Sequence, residues 1–402
     1  MHIFSAYFRT VKQQLQDERG KIFVAISAGW FLSIGIRMAY PVLLPSLRDY
    51  YDLSLTMAGF LLTILWLSYA VGQIPGGVLA DRFGEGPTLA ASMAIAAATL
   101  ALIVIANTPI ILFVGTSALG LAIALFGVVR LTAIADVYPK HVGTAHGFLG
   151  AVGDIGNTIL PPLVGFVVVT TVWQFGLGFL IPLFIFVAIA LWVLVPKRTS
   201  KENDTSSVLT VQKVQDVFSE LQHRSFVVGT TIMIFVLAIS QAFVGFYPTY
   251  LIEIKEMSAG FSNGLFALFF ALGIFVRPIS GNAYDRIGVQ WSLLVITGLS
   301  TVGFVVLPLV DGFIPLVLVT IIIAFKAGQG TIVLAYMTIL LSEENKNTGL
   351  GIIRTIFFIF GAASPVLFGA IADQGYFDEA FFLLAGLSII TFILILILPS
   401  IK

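Results

Sequence analysis

The chain has 402 residues, of which 58% are apolar and 10% are charged, and its 21 basic side chains balance 21 acidic ones. A soluble domain needs roughly 25% charged residues to cover its surface, so most of this protein's surface must face something other than water. The chain contains no cysteine, which excludes disulfide frameworks, thiolate metal sites and cysteine nucleophiles.

The apolar residues form twelve blocks, each long enough for a transmembrane helix, because a bilayer core takes about 18–20 apolar residues. The segment before the first block is polar and mixed in charge, unlike a cleavable signal peptide, so the first block is expected to remain as a helix. The predicted spans are 22–47, 54–80, 87–107, 110–136, 143–170, 174–195, 226–251, 259–283, 290–310, 314–341, 348–372 and 378–399. The predicted fold class is an all-α membrane protein with twelve transmembrane helices.

A polar stretch divides these spans into two sets of six. It predicts a cytoplasmic N-terminal segment (1–21), a first six-helix bundle (22–196), a cytoplasmic linker (197–224) and a second six-helix bundle (225–402). With the N-terminus inside, fourteen lysines and arginines lie on the cytoplasmic side, and only Arg48 and Lys255 lie outside. We therefore expect both termini to be cytoplasmic, in a multi-pass protein of the cell (plasma) membrane.

An internal repeat relates the two sets of spans. Residues 77–84 (GVLADRFG) align with residues 281–288 (GNAYDRIG) at an offset of 204 positions. The same offset, without a gap, pairs Thr144, Gly147, Pro161 and Gly165 with Thr348, Gly351, Pro365 and Gly369. Parallel six-helix repeats with a substrate site between the halves are a known transporter architecture.

The repeated segment also resembles the signature loop G-x-L-a-D-R-x-G-R-K of the major facilitator superfamily, and the resemblance covers nearly the whole chain. It implies two pseudo-symmetric six-helix bundles, with charged side chains that gate the inner end. An aspartate there can face the positive N-terminus of a neighbouring helix. The implied gating residues are Asp81, Arg82, Asp136, Asp285 and Arg286. This chain has Glu85-Gly86 where the family has Arg-Lys, so those two basic roles are not carried over.

Charges inside the spans point to the substrate. Five cations fall there, namely Arg37, Arg130, Arg277, Lys326 and Arg354, whereas Asp154 is the clear intramembrane acid. A charge at a helix centre costs at least about 2.5–3.5 kcal/mol, so each of these residues is a functional hypothesis. The positive excess predicts a cavity for an anion with a carboxylate or phosphate group, which the planar fork of arginine suits.

The resemblance refines this prediction, because the first, fourth, seventh and tenth helices line the central cavity in the superfamily. Arg37 followed by Pro45 also resembles the first helix of anion–cation symporters, which usually carry an acid where this chain has Ile36. Arg37 and Gln241 are 204 positions apart, so we expect them at pseudo-symmetric places. The predicted substrate-binding residues are Arg37, Tyr40, Arg130, Gln241, Lys326 and Gln329.

The remaining intramembrane charges have alternative interpretations. Asp154 is the predicted coupling residue, because its protonation could be linked to substrate occupancy. Arg130 either assists the substrate or forms an ion pair with Asp154 on the next span. Arg277 and Arg354 are candidates for either a substrate contact or a structural role.

We therefore predict an alternating-access transporter, a symporter or antiporter, for a small organic or inorganic anion, driven by a proton gradient or by exchange. One alternative is a proton-coupled exporter of hydrophobic or cationic compounds, and another is a membrane sensor or scaffold that does not transport. An enzyme is not expected, because no spaced catalytic acid–base pair or metal cluster occurs in the sequence. We expect no cofactor, no metal and no nucleic acid; the partners are the solute, the bilayer and a proton or counter-solute, and the protein is expected to be a monomer.

Overall fold

The structure, a computed structural model, describes residues 18–139, 141–199, 223–341 and 346–399, with the backbone alone for 346–352. All regular structure in these ranges is helical. The first half contains α1 (Glu18–Tyr51), α2 (Leu55–Phe83), α3 (Glu85–Val104), α4 (Pro109–Val137), α5 (Val142–Thr170), α6 (Trp173–Gly178) and α7 (Leu180–Leu194). The second half contains α8 (Arg224–Glu253), α9 (Ala259–Val306), α10 (Phe313–Ala324), α11 (Gln329–Leu340), α12 (Lys346–Ala362), α13 (Ser364–Ala372) and α14 (Phe377–Leu396), with 3₁₀ turns at Leu307–Leu309 and Phe325–Gly328.

The helices confirm the predicted class, an all-α membrane protein. In the part of the chain that the structure describes, eleven helical stretches are long and apolar enough to cross a bilayer. One of them, Ala259–Leu309, has 51 residues, although about 20 are enough to span the hydrocarbon core. This stretch contains a break in its backbone.

The break lies at Gly288, and it repeats a feature of the first half. Gly288 has φ 80° and ψ 168° inside α9, and Gly84 has φ 96° and ψ 162° between α2 and α3. This backbone region is open essentially to glycine alone. The hydroxyl of Thr88 donates to the Gly84 carbonyl, and that of Ser292 donates to the Gly288 carbonyl, each over 2.8 Å. Because both pairs are 204 positions apart, the sequence repeat is also a repeat in structure.

The chain packs into two compact units. The first comprises Met1–Ala39 and Ser68–Asn203, and the second comprises Tyr40–Leu67 and Asp204–Lys402. The end of α1 and the beginning of α2 therefore pack with the second half of the chain. The bundle boundaries predicted from the sequence stay predictions, and linker residues 200–222 lie outside the described part of the chain.

Close backbone contacts hold residues 40–67 in the second unit. A β-carbon at Gly59 would lie 2.3 Å from the Pro365 carbonyl oxygen, and one at Gly369 would lie 2.3 Å from that of Leu55. The carboxylate of Asp373, which follows α13, accepts the Leu55 amide over 3.0 Å at the beginning of α2. Glycine at these two positions lets the backbones approach this closely, as is common between membrane helices.

Candidate functional site

Two buried arginines of the first unit lie on the same indole ring. Trp30 and Arg37 belong to α1, and Arg130 belongs to α4. The guanidinium carbon of Arg130 lies 3.4 Å from the centre of the Trp30 ring, and that of Arg37 lies 5.6 Å from it. The Arg37 guanidinium is also 4.1 Å from the ring centre of Tyr69 on α2. All four side chains are buried. The structure thus brings two of the predicted substrate-binding residues together.

Carbonyl and hydroxyl oxygen atoms are among the partners of both guanidinium groups. The Nε atom of Arg37 donates to the Ser33 carbonyl over 3.2 Å, and the same guanidinium is hydrogen-bonded to the Tyr69 hydroxyl. The Nη1 atom of Arg130 donates to the Gly127 carbonyl. These contacts help to fix the direction of each group.

Two glycines make room for the aromatic rings. A β-carbon at Gly153 on α5 would lie 2.3 Å from Nε1 of Trp30, and one at Gly127 would lie 2.6 Å from the Tyr69 hydroxyl oxygen. Real β-carbons essentially never come within 3.0 Å of such atoms. The arrangement of Trp30 and Tyr69 over the arginines therefore depends on glycine at both positions.

Other polar groups lie on the same helices. The hydroxyl oxygens of Ser27 and Ser33 and the amide oxygen of Asn157 are buried and have no hydrogen-bond partner among the described residues. Buried polar atoms normally have a partner, so these three oxygens are candidates for contact with a solute or water. Asp154, the predicted coupling residue, lies half-buried on α5, one turn before Asn157.

The predicted gating residues of the first unit have different surroundings. Asp81 and Arg82 are exposed at the end of α2. Asp136, at the end of α4, accepts the hydroxyl of Thr199 over 2.6 Å. The Thr199 amide donates to the carboxylate of Glu85 over 3.1 Å. Glu85, which departs from the family signature, therefore helps to hold the segment after α7 against this end of the unit.

In the second unit, Lys326 is buried within the 3₁₀ turn between α10 and α11 and is 3% exposed. Its Nζ atom donates to the Val236 carbonyl on α8 over 2.7 Å. Among the residues that the structure describes, the ion pairs do not include Lys326. A buried ammonium has three N–H donors and is costly without a compensating charge. An anion beside Lys326 would therefore stabilise its charged form.

The other predicted binding residues of this unit are also buried. The amide nitrogen of Gln329 donates to the hydroxyl of Thr297 over 2.9 Å. Gln241 is 5% exposed on α8, and Tyr40 is fully buried. Gln329 is thus held by a neighbouring helix, which fixes its position.

The last four predicted residues occupy less enclosed positions. Arg277 on α9 and Arg354 on α12 are half-buried, and Asp285 and Arg286 are exposed. These positions leave the roles assigned to the four residues as predictions. Within the described ranges, no group of three or more His, Asp or Glu side chains could hold a metal ion.

Sequence analysis did not assign Trp30 or Tyr69 to the site. Trp30 lies seven positions before Arg37, which places both side chains on one face of a helix. That spacing could have indicated the contact with Arg37. The contact of Trp30 with Arg130 joins two helices that are remote in sequence, so no local pattern carries it.

Comparison with known proteins adds independent evidence. A sequence profile of the Major Facilitator Superfamily matches residues 25–343. The 2-nitroimidazole transporter of Escherichia coli (strain K12) is 25% identical over 82% of this chain and 83% of its own length. The probable nitrate transporter NarT of Staphylococcus epidermidis is 25% identical over 87% of this chain and 89% of its own. The hexuronate transporter of Bacillus subtilis is 23% identical over 88% of each chain.

Solved structures share the fold at lower sequence identity. The nucleoside transporter NupG superposes with a TM-score of 0.76 at 13% identity, over 96% of this chain and 100% of that one. A bacterial homologue of the human lysosomal transporter Spinster, in an inward-facing and occupied conformation, gives a TM-score of 0.79 at 15% identity over 94% and 96% of the two chains. At these identities the likeness shows the fold alone.

Proposed function

Because this chain belongs to the major facilitator superfamily and is a multi-pass transporter rather than an enzyme, we propose that it moves a small anion by alternating access. The anion carries a carboxylate-like or comparable oxyanion group. Transport is driven by a proton gradient or by exchange for another solute. The protein acts in the cell membrane and needs no cofactor.

The proposal includes twelve membrane crossings with both termini in the cytoplasm. The 51-residue stretch Ala259–Leu309 counts as two crossings, because Gly288 interrupts it. Arg48 and Lys255, the two cations on the proposed outer side, each form an ion pair, with Glu253 and Asp311 respectively. The positive-inside rule counts lysines and arginines, and the presence of only these two on the proposed outer side agrees with it.

The observation that carries the anion proposal is the burial of three cations. Arg37 and Arg130 lie against aromatic rings in the first unit, and Lys326 lies against a carbonyl in the second. Burying charge is costly unless an opposite charge is supplied; at Lys326, which is in none of the ion pairs among the described residues, a transported anion supplies it. Arg37 and Lys326 are each proposed to bind the anion, Arg130 is proposed to assist, and Gln241, Gln329 and Tyr40 are proposed to orient the solute.

The relatives support this substrate class. Nitrate and hexuronate are anions, and they share with 2-nitroimidazole a flat group in which two oxygen atoms are bonded to one central atom. A guanidinium presents two parallel N–H donors to such a group. The rival function, export of hydrophobic or cationic compounds, is less well supported for cations, because Trp30 already faces the internal cations Arg37 and Arg130.

Transport by single variants tests the proposal. Wild-type protein in proteoliposomes should take up labelled nitrate or glucuronate in exchange for the same unlabelled anion. Arg37→Gln and Lys326→Gln should each reduce uptake by at least about tenfold, the equivalent of 1.4 kcal/mol of lost binding. Arg19→Gln, an exposed arginine of the same helix α1, is the matched control and should transport normally. Normal uptake by both site variants would eliminate the proposal.

Coupling is proposed to depend on Asp154. Protonation and release of this half-buried carboxyl would link proton movement to solute occupancy. Asp154→Asn should abolish accumulation driven by a pH gradient while leaving anion exchange intact. Unchanged proton-driven accumulation in this variant would rule out the coupling role.

A further inference from the structure

Trp30 has a position that a purely structural residue does not require. It touches Arg130 at 3.4 Å and lies 5.6 Å from Arg37, so one indole is in contact with both proposed anion-binding groups of the first unit. We propose that Trp30 determines specificity by selecting a planar anionic group over a tetrahedral one. This inference rests on the proposed anion transport and adds the shape of the group that the site accepts.

The Trp30 indole restricts how an anion can approach the Arg130 guanidinium. An aromatic ring at 3.4 Å occupies one face of Arg130 at van der Waals distance. The N–H bonds of a guanidinium lie in its plane and point outward from its edge. An anion bound by two of these donors therefore lies in the guanidinium plane, and the indole flanks that plane on one side.

The arrangement of substituents around the central atom of the anion decides whether it fits beside the indole. In a carboxylate or nitrate, all atoms around the central atom lie in one plane, so the bound group remains parallel to the indole. In a sulfonate or phosphonate, two oxygens can occupy the plane, but the other two substituents then lie on opposite sides of it. One of them must point to the side on which the indole lies, where the ring restricts the space and the negative face of the π-system repels oxygen.

The indole of Trp30 is supported by the neighbouring helix α5. A β-carbon at Gly153 would lie 2.3 Å from Nε1 of Trp30, so the side of the ring that carries Nε1 is packed against the backbone of α5. Gly35 and Gly156 draw the same two helices together, since a β-carbon at Gly156 would lie 2.6 Å from the Phe31 carbonyl oxygen. The indole is therefore a fixed surface and not an adjustable one.

Benzoate and benzenesulfonate test the proposal, because both are monoanions with the same aromatic body and differ in the shape of the charged group. Binding of each to purified full-length protein would be measured by isothermal titration calorimetry. Wild-type protein should bind benzoate at least about tenfold more tightly than benzenesulfonate. Trp30→Leu and Gly153→Ala should bring the two dissociation constants within about threefold of each other, and Trp30→Phe should retain part of the preference.

Gly150→Ala is the matched control, since a β-carbon at Gly150 on the same helix meets nothing within 4 Å. This variant should keep the wild-type ratio. Equal binding of both anions by wild-type protein, or an unchanged ratio in Trp30→Leu, would overturn the shape selection while anion binding stands. If neither anion binds in a way that depends on Arg37, the proposed function itself fails. The ratio of two affinities is informative even if the variants are less stable.

Discussion

The two repeated glycines allow a strong test of the fold, because they share a backbone conformation but not their surroundings. Gly84 and Gly288 have φ 96° and φ 80°, respectively. A β-carbon at Gly84 would lie 1.8 Å from the Lys197 carbonyl oxygen, whereas one at Gly288 would meet nothing within 4 Å. Substituting alanine at each position separates backbone strain from steric conflict.

The expected losses of unfolding free energy follow from backbone strain and from steric conflict. An alanine forced into a conformation open essentially to glycine costs about 1–3 kcal/mol, and this cost applies at both positions. Overpacking against a backbone atom adds about 1–3 kcal/mol, and this cost applies at Gly84 alone. Gly84→Ala is therefore expected to lose about 2–6 kcal/mol of unfolding free energy, and Gly288→Ala about 1–3 kcal/mol.

Thermal unfolding of purified protein, followed by intrinsic tryptophan fluorescence, measures the difference. One kcal/mol shifts the melting temperature of a unit of this size by roughly 2–4 °C, so Gly84→Ala should melt several degrees below Gly288→Ala. Equal melting temperatures for the two variants would refute the close contact at Gly84. A Gly288→Ala protein that matches wild type would refute the shared backbone strain.

Two further predictions concern charged groups near the beginning of α2 and the end of α8. Desolvation raises the pKa of Asp373, but hydrogen bonds from Thr56 and Leu55 outweigh it and hold the pKa below its usual value. The carboxylate of Asp373 therefore contributes fully to the free energy of unfolding above about pH 4, and this contribution is lost as the pH falls further. Asp373→Asn should melt slightly below wild type at pH 5–8, by the loss of up to about 1 kcal/mol, and should match wild type in strong acid. A difference in melting temperature that grows on acidification would contradict this. Arg48 forms an ion pair with Glu253. Reversing the charge of either residue alone should therefore lower the free energy of unfolding by up to about 1 kcal/mol, and exchanging the two residues should restore it. If the losses of the two single variants simply add in the double variant, the pairing is excluded.

Much of the fold could be predicted because hydropathy and repetition are local properties of the sequence. Apolar blocks predicted the helices, and the 204-residue offset predicted that Gly84 and Gly288 would be equivalent. The assignment of residues 40–67 to the second unit was not predictable in this way. It depends on contacts such as Gly369 with Leu55, between segments that are distant in the chain.

The charged residues of the candidate site could be named from the sequence, but their arrangement could not. The cost of placing charge in a bilayer identifies Arg37, Arg130 and Lys326 from sequence alone. Hydropathy does not indicate which aromatic ring covers an arginine, so the role of Trp30 required coordinates. The 3₁₀ turn around Lys326, between α10 and α11, ends at Gly328 but contains no proline, and a single glycine inside an apolar span does not by itself predict such a turn.

Ligand-induced stabilisation tests directly whether the buried cations bind an anion. A bound ligand raises the melting temperature by mass action, so purified wild-type protein would be heated with carboxylates, nitrate, neutral sugars and amphiphilic cations in turn. We predict that only the anions raise the melting temperature and that Arg37→Gln abolishes the rise. Stabilisation by sugars or amphiphilic cations alone, with no response to any anion, would contradict the account.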